Sequence, residues 1–383
     1  YATGEFSGNS ASLGHTPYRG NGVWKSTDNG LTWTIIPGTD SDFISYDSYF
    51  DYTNALEVSP ITGDLFIAVS GALYRYDGTN LNSELEILGS STSGFNANAT
   101  NIKAGLWQYN STTSIWTDYS LKLPDEPGGD SDGNDPFTGQ GGYDLVVSVK
   151  PDNENFVVIG GTNAYKISDI TTDAMFTRIG GYANNSGYSL YNNHHPDIHV
   201  LEFDPNNNNV LFSGTDGGVH KTTDILSTSI LWQSLNNNYV TYQYYHVTLD
   251  PLSGSNIVIG GAQDNGTTMG GTDGGLLDNT SMQSLAGGDG VAVGIARRDS
   301  DTETQMFLGF QQGTIYTNYP SGYREITPTD APSGSSAQFV TYFYLDPDNN
   351  DHLYYAANGE LYRTSDAANV TSDTWVNAGR VIT

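Results

Sequence analysis

The sequence predicts an all-β fold, a seven-bladed β-propeller of four-stranded antiparallel blades, on three observations. A unit recurs along the chain: an extended apolar segment halted by Asp-Pro or a similar stop, a polar turn, a short apolar strand, a Gly/Asn turn and a third strand. The residues that end the first strand of each unit, Ser59, Lys150, Asp204, Asp250, Asp299 and Asp346, lie 91, 54, 46, 49 and 47 residues apart. A period of roughly 40–50 residues with about four strands is the spacing of propeller blades. No segment reads as a helix of three turns, while Asn, Gly, Ser, Thr and Tyr are plentiful.

In chain order, residues 1–21 are polar and Gly-rich. Ser26-Thr27-Asp28-Asn29-Gly30-Leu31-Thr32-Trp33 reads as a closed turn: Asp28 accepts from turn N–H groups, Gly30 takes a positive φ, and Trp33 folds back over the turn. Ser26, Asp28, Gly30 and Trp33 are therefore expected to be structural. Residues 22–36 supply the outer two strands of one blade, whose inner pair comes from residues 1–21 or from sequence beyond Thr383. The next unit takes residues 54–60, 65–69 and 73–77 as strands. The long first spacing is assigned to an insertion at about 79–142, with an extra strand pair at 104–109 and 114–119 and an acidic loop. Later units start at residues 143, 199, 245, 293 and 341. Their turns between second and third strands are Gly161-Thr162-Asn163, Thr215-Asp216-Gly217, Gln263-Asp264-Asn265, Gln311-Gln312-Gly313 and Ala357-Asn358-Gly359, which blades in register place on one face.

Composition narrows the function. With 14 basic and 43 acidic residues the chain carries a formal charge of −29, which repels phosphate backbones and anionic lipid; no nucleic acid is expected as a partner. No apolar run approaches the ~20 residues that span a bilayer, so no membrane insertion is expected. Cysteine is absent, which excludes thiolate chemistry and fits a bacterial exported protein. The chain begins at Tyr1, and residues 1–383 are read as a single propeller domain excised from a larger secreted protein.

The Ser-x-Asp-x-Gly-x-Thr-Trp stretch resembles the Asp-box, or bacterial neuraminidase repeat, of a propeller family; looser copies follow at 221–224 with Trp232, at 363–366 with Trp375, and at Ser168-Asp169. With the His-Pro-Asp-x-His segment, the Thr-Asp-Gly-Gly turn and the Gly-rich stretches at 260–267 and 287–290, the chain is similar to sortilin-type and xyloglucanase-type propeller modules of large secreted proteins from Bacteroidetes-type bacteria. That resemblance implies a secreted or cell-surface location, export by a type IX route and neighbouring domains of the same parent chain. Asp-box sialidases need three arginines on the substrate carboxylate. Here Arg19, Arg178 and Arg324 lack that context, and Arg178-Ile179 is followed by Gly180. Xyloglucanase-type enzymes resemble two facing propellers with one catalytic aspartate from each, so one propeller holds half a site.

Three clusters carry the candidate chemistry. Alternation along an extended segment sets His195, Asp197 and His199 on one side, as ligand contacts, as lining, or as metal ligands of the Zn²⁺ type. Asp216, Asp264 and Asp289 offer a carboxylate pair for glycoside cleavage, or simply cap tight turns, and Gln263 and Gln311 are candidate ligand contacts. Asp130, Asp132 and Asn134 alternate as in a calcium loop, so Ca²⁺ is the one cofactor considered; Asp135 and Gly141 stand where an EF-hand needs Gly and Glu. Twenty-six tyrosines suit stacking on sugars or docking of extended segments. The leading expectation is a non-catalytic recognition module for glycan or protein ligands. The alternatives are a glycoside hydrolase and a structural spacer in an adhesin.

Overall fold

Unbroken apolar runs such as Phe156-Val157-Val158-Ile159 and Val291-Ala292-Val293 suit strands covered on both faces. The computed structural model describes residues 2–4, 22–36, 53–71, 75–76, 81–82, 103–127, 135, 137–140, 143–237, 242–276, 278, 281–298, 304–318 and 322–380. They form two compact units, Tyr1–Tyr239 and Val240–Thr383.

Among the described residues the first unit holds four antiparallel sheets, here called blades, and one small two-stranded sheet. Blade 1 is β1 (Ala2–Gly4), β2 (Gly22–Lys25) and β3 (Thr34–Ile35). Blade 2 begins with β4 (Thr53–Val58) and β5 (Leu65–Gly71); after a small sheet of β6 (Arg75–Tyr76) and β7 (Leu81–Asn82), it ends with β8 (Lys103–Tyr109) and β9 (Trp116–Asp118). Blade 3 is β10 (Val146–Lys150), β11 (Asn153–Gly160), β12 (Ala164–Ile167) and β13 (Thr177–Gly180). Blade 4 is β14 (Ile198–Asp204), β15 (Asn207–Thr215), β16 (Gly218–Thr222) and β17 (Trp232–Ser234).

The second unit holds three. Blade 5 is β18 (His246–Leu249), β19 (Val258–Ala262), β20 (Gly266–Gly270) and β21 (Met282–Ala286). Blade 6 is β22 (Gly290–Ala296), β23 (Gln305–Phe310), β24 (Ile315–Thr317) and β25 (Arg324–Glu325). Blade 7 is β26 (Phe343–Leu345), β27 (Leu353–Ala357), β28 (Glu360–Thr364) and β29 (Val376–Arg380).

Each strand divides its residues between two cores. Along β11, Phe156 and Val158 pack toward blade 4, whereas Val157 and Ile159 pack toward blade 2. Along β5, Leu65 and Ile67 join Val23 and Ile36 of blade 1, while Phe66 and Ala68 join Val147 and Val149 of blade 3. In the second unit Val293 and Ile295 face blade 5, and Ala292 and Ala296 face blade 7. Period-two alternation with both faces buried is what makes these strands look continuously apolar.

Blade 2 departs from the sequence expectation. Its third strand is β8, which pairs with β5 without interruption from Leu65↔Tyr109 to Gly71↔Lys103. The "extra" pair expected at 104–109 and 114–119 is thus the outer half of the blade, and the insertion falls between β5 and β8 within the blade. β8 wins because it matches β5 residue for residue and buries Leu106 and Trp107; Arg75 and Tyr76 instead pair with Asn82 and Leu81. Blade 1 gains its inner strand from residues 2–4, which pair with β2.

The turn after β2 has the expected geometry. Asp28 Oδ1 accepts the Thr32 N–H at 2.8 Å, Ser26 Oγ accepts the Gly30 N–H at 2.9 Å, and Trp33 Nε1 donates to Gly30 O at 3.0 Å. Asn29 and Gly30 take φ of 59° and 84°. The Thr32 hydroxyl, the Thr32 N–H and the Ser26 hydroxyl all donate to the Asp28 carboxylate and hold it down at about 2.

The looser copies use their tryptophans differently. Trp232 Nε1 donates to Ile179 O of blade 3, and Trp375 Nε1 to Ile326 O beside β25 of blade 6, both at 2.6 Å. Each therefore fastens a blade to the last strand of the one before it, where Trp33 only covers its own turn. Trp232→Phe keeps the buried ring but orphans a buried carbonyl, so we expect it to cost about 1–3 kcal/mol in urea unfolding. An unchanged midpoint would show that the indole bond contributes nothing.

Candidate functional site

In an antiparallel four-stranded blade, the turn between second and third strands and the lead-in to the next blade's first strand fall at the same end. The structure joins them. Asp197 and Ile198, leading into blade 4, donate their N–H groups to Thr162 O and Gly161 O in the blade 3 turn, both at 2.9 Å. A Cβ on Gly161 would lie 2.1 Å from Thr138 O, so only glycine fits there.

At this end of the first unit lies a cluster of carboxyl and imidazole groups. Asp197 holds a left-handed φ of 60°, and a β-bulge at His199 leaves that residue unpaired between Ile198↔Thr215 and Val200↔Gly214. The alternation expected for His195, Asp197 and His199 is therefore broken. His199 Nε2 lies 2.6 Å from Asp216 Oδ1, and the Tyr143 hydroxyl donates to Asp216 Oδ2 at 3.4 Å. The Tyr143 and His199 rings meet edge to face at 5.0 Å. Asp197 turns the other way. Its Oδ1 accepts from Gln140 Nε2, the same nitrogen that donates to Asp144 Oδ2 at 3.3 Å. One amide thus bridges two carboxyls, and Asp197 and Asp216 present oxygens within 4.8 Å of each other.

Asp144 is fully buried. Burial, then the neighbouring Asp197 charge, pushes its carboxyl up to about 8, so it keeps a proton at neutral pH and shares it toward Asp197. Asp216 and His199 are the accessible members, with side chains 12% and 33% exposed.

His195 and its neighbour are placed by glycines. The His195 ring occupies the space a Cβ on Gly217 would need, and the His194 ring does the same at Gly180. His194 accepts the Gly181 N–H at Nδ1 and stacks on Trp232 at 4.3 Å and His220 at 4.8 Å. Burial lowers both His194, well below the usual imidazole range, and His220. The His194 and His220 rings are packing.

The second unit repeats the device with other residues. Asp264, at φ 61°, donates its N–H to Asp289 Oδ1 at 2.9 Å, which ties the blade 5 turn to the lead-in of blade 6. Gln263 Oε1 accepts the Tyr245 hydroxyl at 2.6 Å. Gln311 sits apart, in the turn after β23, on the wall of an open cavity of about 370 Å³. Asp130, Asp132 and Asn134 lie outside the described residues.

Sequence reasoning missed Gln140, Tyr143 and Asp144 as site residues. A signal was present: an aspartate stands at or just before the first strand of blades 3, 4 and 6, as Asp144, Asp197 and Asp289. Of the arginines, Arg178 is spent on Glu126 at 2.9 Å and lies over the Tyr165 ring, and Arg324 donates to Val370 O.

No family profile and no curated protein matches the sequence. Among solved structures, an ancestral GH74 enzyme superposes with a TM-score of 0.52 at 16% identity, over 93% of this chain and 48% of that one. The GH74 xyloglucanase from Xanthomonas campestris gives 0.42 at 12% identity over 93% and 51%, and the GH74 enzyme of Niastella koreensis 0.35 at 14% over 94% and 52%. The chain spans about half the length of each. The first likeness, with the seven successive sheets, shows the fold: an all-β, seven-bladed β-propeller.

The titrations set a pH profile. A folded-state value above the unfolded one, as at Asp144, stabilises fully below the unfolded carboxylate range and is lost as pH rises toward 8. Asp135, raised to about 7 by burial, acts in the same direction. His194 and His220 have lowered values, so their contribution is present above about pH 6.5 and lost as pH falls below it. Stability should therefore decline between pH 6.5 and 8.5, with Asp144 supplying up to about 1.4 kcal/mol per pH unit. In Asp144→Asn the decline should be shallower; urea unfolding across that range with an unaltered slope would contradict the shared proton.

Proposed function

We propose that the chain is a non-catalytic recognition module of a secreted or cell-surface protein, related to the Asp-box propellers and binding glycan or extended protein ligands at the turn ends of its blades. The observation that carries this reading is how the carboxyl groups are already engaged. Asp144 and Asp197 are buried and share the Gln140 amide, so they are poorly placed to exchange a proton with a substrate arriving from solvent. Asp216 is held by His199, and Asp289 by the Asp264 N–H. What reaches solvent beside them is the Tyr143 ring, 58% exposed and propped by His199. An aromatic surface next to fixed donors and acceptors suits stacking and hydrogen bonding better than bond cleavage. The closed turn at residues 26–33 supports the Asp-box relation, and the cysteine-free, acidic composition supports export.

The test is a glycan-array screen followed by calorimetry on the folded chain. A ligand should be found, and Tyr143→Ala should weaken it roughly tenfold, the scale of one aromatic contact. Turnover of a β-glucan or sialoside that is abolished by Asp216→Asn, Asp264→Asn or Asp289→Asn would replace this reading with a hydrolase. A folded chain that binds nothing would leave only the spacer.

A further inference from the structure

We propose that the turn after β23 of blade 6 forms a separate pocket for one residue of a neutral saccharide, lined by Phe310, Gln311, Gln312, Thr314, Tyr316 and Gly334. The cavity, about 370 Å³ and open to solvent, is at the small end of ligand-pocket sizes. Among the described residues its walls carry two primary amides, the Thr314 and Tyr316 hydroxyls and two aromatic rings, and no charged side chain. Among the described residues neither the Gln311 nor the Gln312 amide has a protein partner, so their donors and acceptors are free to meet hydroxyl groups.

The pocket is built in advance of its ligand. Phe310 and Tyr316 hold each other edge to face, with centroids 5.4 Å apart and planes at 77°. Gln312 is left-handed at φ 57°, a conformation that costs a non-glycine residue on the order of 1 kcal/mol and collects at ligand sites. It is fixed there by its N–H on Phe339 O at 2.9 Å, and the next residue, Gly313, by its N–H on the buried Thr341 hydroxyl at 2.7 Å. A Cβ on Gly313 would lie 2.9 Å from Pro332 O, so glycine is required next to Gln312. Little ordering remains for binding to impose.

The chemistry selects the ligand. With no cation among the described residues of the wall and a net charge of −29 on the chain, uronates, sialosides and phosphates are disfavoured. A proline-rich peptide needs aromatic rings side by side as ridges. Here the rings meet at 77°, which leaves one ring-sized space flanked by amides. That arrangement fits a pyranose, with its C–H face on an aromatic ring and its hydroxyls on Gln311, Gln312 and Thr314.

The inference rests on the glycan-recognition reading but uses other residues in the other unit, so the two can fail separately. Calorimetry on the intact chain would use cellotetraose, mannotetraose and laminaritetraose, with sialyllactose and a proline-rich decapeptide as comparators. Gln311→Ala, Tyr316→Ala and the same changes in a Tyr143→Ala background complete the set. We expect at least one neutral tetrasaccharide to bind, with Gln311→Ala and Tyr316→Ala each weakening it about fivefold or more in both backgrounds. Gln311 lies in a surface turn, so its variant reads the pocket even if Tyr316→Ala unfolds. Neutral sugars that fail to bind, binding indifferent to Gln311→Ala, or preference for sialyllactose or the peptide would each overturn the pocket. Loss through Tyr143→Ala alone would sink this inference and leave the proposed function standing.

Discussion

The bond between one blade's inner turn and the next blade's lead-in is the constraint on which the site regions of this protein depend. Sheets buried on both faces satisfy their own ladders, but the turns at their ends carry N–H and C=O groups that need partners. Blade 4 supplies them to blade 3 through the Asp197 and Ile198 N–H groups, blade 6 to blade 5 through the Asp289 carboxylate, and blade 7 to blade 6 through Phe339 O and the Thr341 hydroxyl. Because backbones must come within hydrogen-bonding distance, glycine is required where they pass, as at Gly161 and Gly261, where a Cβ would sit 2.1 and 2.2 Å from a neighbouring carbonyl oxygen. The candidates Asp197, His199, Asp216, Asp264, Asp289 and Gln311 are carried by these joints or stand next to one.

That constraint explains which parts of the architecture the residues announce. Strand-ending aspartates at near-constant spacing mark the blades, because each blade must turn at the same place to meet the next. The turn at 26–33 is legible because its bonds are all local, from Ser26 to Trp33. Blade 2 misleads, since residues 73–77 and 103–109 are both plausible strands, and only pairing with β5 over its whole length separates them. The His195-Asp197-His199 geometry misleads for another reason: a left-handed aspartate and a one-residue bulge are decided by the approach of blade 3, which no local pattern records. Asp144 escaped notice because the charge beside it, Asp197, comes from the next blade, and Gln140, four residues away, marks no carboxyl site by itself.

An acidic chain with few cations must find other ways to bury carboxyl groups. In the second unit Asp250 keeps its charge by pairing with Arg297, which, with Leu252 and Ser255, holds its carboxyl down at about 2 despite burial. In the first unit burial and the neighbouring Asp197 charge push the Asp144 carboxyl up to about 8, and it keeps a proton instead. Asp197 then needs only a neutral amide and a shared hydrogen, both of which the site provides. The same economy governs the histidines, where His194 stays neutral against Trp232 and His220. The Arg178 guanidinium answers Glu126 beside Asp135, whose carboxyl burial pushes up to about 7.

These solutions separate the two candidate regions by what each leaves over for a ligand. The carboxyl cluster of the first unit engages Gln140, His199 and Tyr143 internally, so its offer to a ligand is chiefly a ring and the outer faces of Asp216 and His199. The blade 6 turn spends its backbone on blade 7 and leaves the Gln311 and Gln312 amides uncommitted beside two rings. Recognition requires groups that are fixed in position yet unsatisfied in bonding. A carboxylate rarely meets both demands in a chain of this charge, because fixing it takes a donor that then occupies it. An amide held by its backbone meets both. That difference is why the uncharged turn, rather than the acidic cluster, is the better-prepared contact in a protein whose net charge advertises the opposite.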